Sequence, residues 1–82
     1  LKASSNIYAI GPNPTDDLVR ISTPIAHSHH YEVYSTNGIL IMEGVWEGNN
    51  AELSIGDLSQ GLYFIRLFSN QEKGEVHKIL RK

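Results

Sequence analysis

The sequence predicts an all-β fold, an antiparallel sandwich or barrel of about seven strands. Three observations carry this. First, turn-forming clusters recur along the chain. They begin at Gly11, Thr23, Thr36, Glu47, Gly56 and Ser69, 9 to 13 residues apart, which is the even spacing of short strands in sandwiches and barrels. Second, most runs between the clusters alternate apolar and polar side chains, the period of a strand with one buried face. Third, no window sustains a helix. Leu58, Leu62 and Ile65 fall at i, i+4 and i+7, but Gly56 and Gly61 interrupt them, and Tyr63, Phe64 and Ile65 favour a strand.

The elements follow in order. Residues 1–6 are small and polar after Leu1 and read as the end of a linker, with one domain over residues 7–82. The first strand is expected over 6–10. Pro12 and Pro14 bracket Asn13 in an extended corner that no ladder can continue. The second strand, 17–22, sets Val19 and Ile21 on one face and is ended by Pro24. The third, 30–35, sets Tyr31 and Val33 against Glu32 and Tyr34. Asn37-Gly38 then joins it to the fourth, 39–45. Both residues tolerate positive φ, so a tight type I′ hairpin is expected there. The fifth, 51–55, points Ala51, Leu53 and Ile55 inward. Gly61 is expected to take a backbone angle that other residues resist, just before the sixth strand, 62–68, which is the most apolar and so central. The seventh, 74–80, alternates Val76 and Lys78 with His77 and Ile79.

Eighty-two residues allow one small domain with a radius of gyration near 12 Å. With no cysteine, neither a disulfide nor a thiolate metal site supports it. No apolar run approaches the ~20 residues that span a membrane as a helix. The chain opens on Leu, not Met, and reads as a piece of something longer. The net charge of −2 and the pI near 6.0 exclude a general nucleic-acid binder, which carries a basic patch. The charge is split. Residues 1–72 hold three basic and eight acidic groups, −5, while residues 73–82 hold four basic and one acidic, +3. A basic end on an acidic body can label a terminus.

Little in the chain points to catalysis. The serines and histidines lack the context of a nucleophile elbow or a triad. Asp16 and Asp17, as strand neighbours, face opposite ways and suit turn capping better than acid–base work. His27, His29 and His30 form one unusual cluster. It reads as an exposed polar loop between the second and third strands, with metal binding as the sharper alternative. Gly56 and Gly61 flank no phosphate-binding lysine. Seven aromatic residues could stack on a sugar, Trp46 foremost because it adjoins a turn, but such side chains more often fill a small core.

Four stretches together resemble a known family. They are Pro12-Asn13-Pro14-Thr15, Val33-Tyr34-Ser35-Thr36-Asn37-Gly38, Asp57-Leu58-Ser59-Gln60-Gly61-Leu62-Tyr63, and Lys78-Ile79-Leu80-Arg81-Lys82. In this order they are similar to the C-terminal sorting domain, type A, of type IX secretion substrates. The likeness covers residues 7–82, with Gly11 standing where the family more often has a bulky residue. It implies an Ig-like seven-stranded sandwich and a non-catalytic export signal without a cofactor or metal. It implies recognition by the type IX machinery at the outer membrane of a Gram-negative cell, after transit through the periplasm. It also implies, for many members, removal by a sortase-like protease that cuts just before the domain, near residues 1–6, leaving the cargo at the cell surface. Recognition is expected to rest partly on Lys78, Arg81 and Lys82, and an open sheet edge could accept a partner strand. The glycines and Asp57 are expected to shape the fold, and Pro12, Asn13, Pro14, Asn37, Gly38, Asp57, Leu58, Gly61 and Tyr63 are the positions that carry the family motif by this resemblance. The last five residues are expected to be dispensable for folding. An adhesive or carbohydrate-binding Ig-like module is the alternative, since this architecture hosts many functions.

Overall fold

A computed structural model describes residues 7–69 and 74–82. The proposed linker, the start of the first strand at Asn6, and much of the cluster after Ser69 lie outside these residues. Among the described residues there are seven strands and no helix: β1 (Ala9–Gly11), β2 (Leu18–Ser22), β3 (Ser28–Tyr34), β4 (Leu40–Glu47), β5 (Asn50–Ser54), β6 (Gly61–Ser69) and β7 (Glu75–Arg81). They form two antiparallel sheets, β1-β2-β5 and β4-β3-β6-β7.

Alternation explains the packing. Val19 and Ile21 of β2, Val33 of β3, Leu53 of β5 and Tyr63, Ile65 and Leu67 of β6 all point between the sheets and are buried. Ile55, just after β5, and Ile79 of β7 complete the same core. Each side chain of this size contributes about 1.5–3 kcal/mol on full burial. β6 lies inside its sheet, between β3 and β7, as its apolar sequence requires. The result is an Ig-like sandwich. Its fourth strand stays beside β3 because the hairpin joining them is short, instead of crossing to β5 as in constant-type domains.

The hairpin is present, but its turn is not type I′. Among the described residues no side-chain-bearing residue has positive φ; Gly38 alone in this turn does, at +83°. The Gly38 N–H bonds the Ser35 carbonyl at 3.0 Å, and the Ser35 N–H bonds the Ile39 carbonyl at 2.9 Å. This is the three-residue alternative, a tight turn followed by a left-handed glycine. Asn37 supplies a turn residue without needing positive φ. One extra residue on β4 then shifts the register between Val33 and Tyr34, a bulge that increases local twist.

The third strand also begins two residues earlier than its sequence pattern indicates. His29 is therefore a buried strand residue and not part of an exposed loop. Its Nδ1 lies 2.7 Å from the Tyr8 hydroxyl and its Nε2 lies 2.7 Å from the Ile25 carbonyl. A carbonyl can only accept, so Nε2 carries the proton and, in the neutral ring, Nδ1 accepts from Tyr8. The Trp46 indole stacks on the imidazole with centroids 5.0 Å apart. His30 points to the other face and stacks on Phe68. His27 stays exposed in the loop. Strand alternation turns His29 and His30 to opposite faces while His27 stays in the loop, and among the described residues no group of three potential ligands is placed to hold a metal.

The strand registers define two poles. At one, β1 ends, β2 begins, β3 turns into β4, β5 ends, β6 begins and β7 ends. At the other, the chain enters at Ile7 and Tyr8, and β7 begins at Glu75. There the Ile7 N–H donates to Glu75 Oε2 at 2.6 Å, while Glu75 Oε1 lies 2.9 Å from His77 Nε2.

Candidate recognition surface

All four sequence motifs converge on the first pole. The corner at Pro12, Asn13 and Pro14 clasps the outer edge of β7. Asn13 Nδ2 donates to the Lys78 carbonyl at 3.1 Å, and its Oδ1 accepts from the Leu80 N–H at 2.9 Å. One amide side chain thus meets the donor and the acceptor that a neighbouring strand would otherwise meet. Thr15 extends the clasp as a parallel bridge to Arg81. Its N–H bonds the Leu80 carbonyl and its carbonyl accepts from the Lys82 N–H, both at 2.9 Å. The Thr15 hydroxyl is buried against the Leu18 carbonyl, to which it donates at 2.7 Å. Both X-Pro bonds of the corner, Gly11–Pro12 and Asn13–Pro14, are cis.

The edge of β7 is not open along its final residues, because the chain has already paired it from the Lys78 carbonyl to the Lys82 N–H. An added strand cannot bond there without displacing residues 13–15.

The turn from 55 to 61 is built beside this clasp. The Leu58 N–H bonds the Ile55 carbonyl at 3.0 Å, so Gly56 and Asp57 occupy the turn's centre. Leu58 folds back against the core. Gly61 has φ of +146°, outside the comfortable range of a residue with a Cβ. Tyr63 follows in β6, buried, with its hydroxyl donating to the Ser59 carbonyl at 2.6 Å. This is the tyrosine corner of Ig-type sandwiches, placed between the fifth and sixth strands. Asp17, which the sequence suggested as a turn cap, caps a turn 39 residues away. Its Oδ1 accepts from Ser54 Oγ at 2.6 Å and from the Gly56 N–H at 3.1 Å. A Cβ on Gly56 would stand 2.7 Å from that oxygen, so the glycine and the carboxylate fit as a pair. An acid three residues past Pro14 was the available signal.

The three cations singled out in the sequence take different places. Lys78 is exposed on the outer face of β7, directly opposite Phe64 in the ladder. Lys82 is exposed at the chain's last position, with Nζ 3.9 Å from Asp16 Oδ1, a weak surface pair. Arg81 is half-buried. Its Nη2 donates to the Gly56 carbonyl at 2.7 Å and its Nη1 donates to the Lys82 carbonyl. Two lysines therefore face solvent, while the arginine ties the end of β7 to the turn at Gly56. Trp46, the candidate sugar platform, lies against Tyr8 and His29, with Nε1 donating to the Gly48 carbonyl at 3.2 Å.

A family described as the secretion system C-terminal sorting domain matches residues 6–82. The chain belongs to this family. It is a C-terminal sorting domain of type IX secretion, a signal domain and not a catalyst. No curated protein matches the chain. The sorting domain's pole thus collects the four stretches on which the sequence resemblance rests: the clasp at Asn13, the hairpin at Asn37-Gly38, the corner from Asp57 to Tyr63, and the end of β7. Among its described residues no helix is long and apolar enough to cross a membrane.

Proposed function

We propose that the type IX machinery at the outer membrane reads this sorting domain at the pole where the four motifs meet, through Lys78 and Lys82. Arg81 supports the reading indirectly, by fixing the end of β7. The observation that carries this is the opposition of the poles. The chain enters beside Glu75, at the start of β7, so a cargo attached ahead of residue 7 sits at the opposite end from the clasped residues of that strand and leaves them accessible. In this reading the domain passes through the periplasm with its cargo. A sortase-like protease then cuts in the stretch before Ile7, leaving the cargo at the cell surface.

Fusing residues 1–82 to a periplasmic reporter in a type IX-competent cell tests the reading. Surface display of the reporter is the expected result, with loss of display for Lys78→Glu combined with Lys82→Glu. Both lysines are exposed, and surface changes of this kind alter stability by about 0.5 kcal/mol or less. Lost display therefore reports recognition and not unfolding. A wild-type fusion that stays in the periplasm would sink the reading. A charge-reversed fusion displayed like the wild type would remove the lysines from it.

A further inference from the structure

The opposite edge of the same sheet is open. β4 runs for eight residues at that edge, and β3 is its single neighbour. The other edges are closed or short: β7 is clasped by residues 13–15, β1 has three residues and β5 has five. β4 carries neither lysine nor proline, two common devices that keep edges from pairing. Among the described residues, four of the eight exposed large apolar side chains lie on it or just before it: Ile39, Leu40, Ile41 and Val45, the last 65% exposed.

The ladder fixes which backbone groups are available. The Gly48 N–H bonds the His27 carbonyl at 3.1 Å. Antiparallel bonding alternates along a strand, so Trp46 and Gly44 also bond β3. Glu43, Val45 and Glu47 then turn their N–H and carbonyl groups away from the sheet. Among the described residues no hydrogen bond meets them.

We propose that this edge takes a second copy of the chain, β4 pairing antiparallel with β4 and Gly44 on the twofold axis. Strand overlap and side-chain charge together select that register, since centring on Gly44 pairs residues 41–47 of both strands. Centred on Gly44, Glu43 lies opposite Val45 of the second copy, and the two outward-facing residues of each strand exchange hydrogen bonds. Centred on Val45, each Glu43 would lie opposite a Glu47. Centred on Glu43, that acid would face its own copy. Like charges directly opposite one another disfavour both alternatives. The Gly44 register also sets Met42 opposite Trp46 on the inner face. The pairing is isologous and closes at two copies. It makes one eight-stranded sheet with a β7 at each far end, so the pole that carries Lys78 stays free in both copies. The inference is independent of the export reading. One strand pair buries less than the roughly 1,200 Å² of a stable complex, so the association is weak and depends on concentration.

Sedimentation velocity on the 82-residue chain over a wide concentration range tests this. A reversible shift toward a dimer is expected, absent in Val45→Glu, which sets an acid opposite the Glu43 of the second copy without entering the core. A wild-type chain that stays monomeric throughout overturns the proposal. The register has its own test in a chain without cysteine. Glu43→Cys and Val45→Cys, mixed under a mild oxidant, are expected to cross-link to each other far more than either does alone. In the proposed register their Cα atoms lie about 5.5 Å apart, within disulfide reach. Cross-linking of Glu43→Cys to itself at an equal rate would overturn the register.

Discussion

His29 shows how one residue can mislead a reader of sequence and still organise a fold. Three histidines in four positions look like a polar loop, yet the middle one is buried in β3 because both ring nitrogens have partners and Trp46 covers its face. No local pattern announces this, since the partners Tyr8, just before β1, and Trp46, in β4, are distant in sequence. His29→Ala is expected to cost about 3 kcal/mol or more, because it opens a cavity and leaves the Ile25 carbonyl without its donor. Urea unfolding reads the loss, and Trp46 fluorescence in the folded variant is expected to shift to the red. A second residue-scale prediction concerns pH. The Tyr34 hydroxyl, donating to Glu32 Oε1 at 2.8 Å, holds that carboxyl below its ordinary 4.5, and Arg66 adds to the effect. The same bond raises the Tyr34 phenol above its ordinary 10.0. A lowered acid contributes stability above 4.5 that is lost as pH falls through the folded value. A raised phenol contributes stability below 10.0 that is lost as pH rises through the folded value. The Tm difference between wild type and Tyr34→Phe is therefore expected to be flat between these limits and to shrink outside them. A difference that keeps its full size at low pH would remove the carboxylate from the account.

At the scale of elements, strands were legible and their ends were not. β2, β5 and β6 follow the period-2 pattern because each has one face on the core. The Asn37-Gly38 hairpin was legible as a hairpin, but two turn types share that dipeptide, and backbone φ at one residue decides between them. The clasp at Asn13 was not legible at all. It pairs residues 65 and 67 positions apart, and its sequence shows only that the chain cannot continue a ladder. Gly61 belongs to this scale because its backbone angle sets the start of β6 and the aim of Tyr63. Gly61→Ala is expected to cost about 1–3 kcal/mol through φ alone, since nothing lies within 4 Å of the missing Cβ. Gly11→Ala meets equally open space but carries no positive φ, so it is expected to be near neutral. Thermal unfolding of the two variants separates strain from crowding, and equal losses would refute the assignment.

For the molecule as a whole, the chain's last residues do two jobs that its charge pattern had merged. The basic end looked like an appended label, dispensable for folding. In the structure Ile79 is fully buried, Arg81 holds the Gly56 carbonyl, and Thr15 is bridged to the same strand. Removing residues 78–82 would take away a core side chain, four of the seven β6–β7 ladder pairs and every bond of the clasp. That truncation is expected to abolish cooperative unfolding, so a loss of export caused by it says nothing about recognition. A smaller change separates the roles. Asn13→Ala removes two solvent-exposed bonds, each contributing about 0.5–1.5 kcal/mol, and leaves Lys78, Arg81 and Lys82 in place. Hydrogen exchange is expected to accelerate at the Leu80 and Lys82 amides, which face the clasp, and to stay slow at Ile79, whose amide faces β6. If Ile79 accelerates equally, the clasp holds the whole strand and not just its edge, and the end of β7 depends on a corner 65 residues away in sequence.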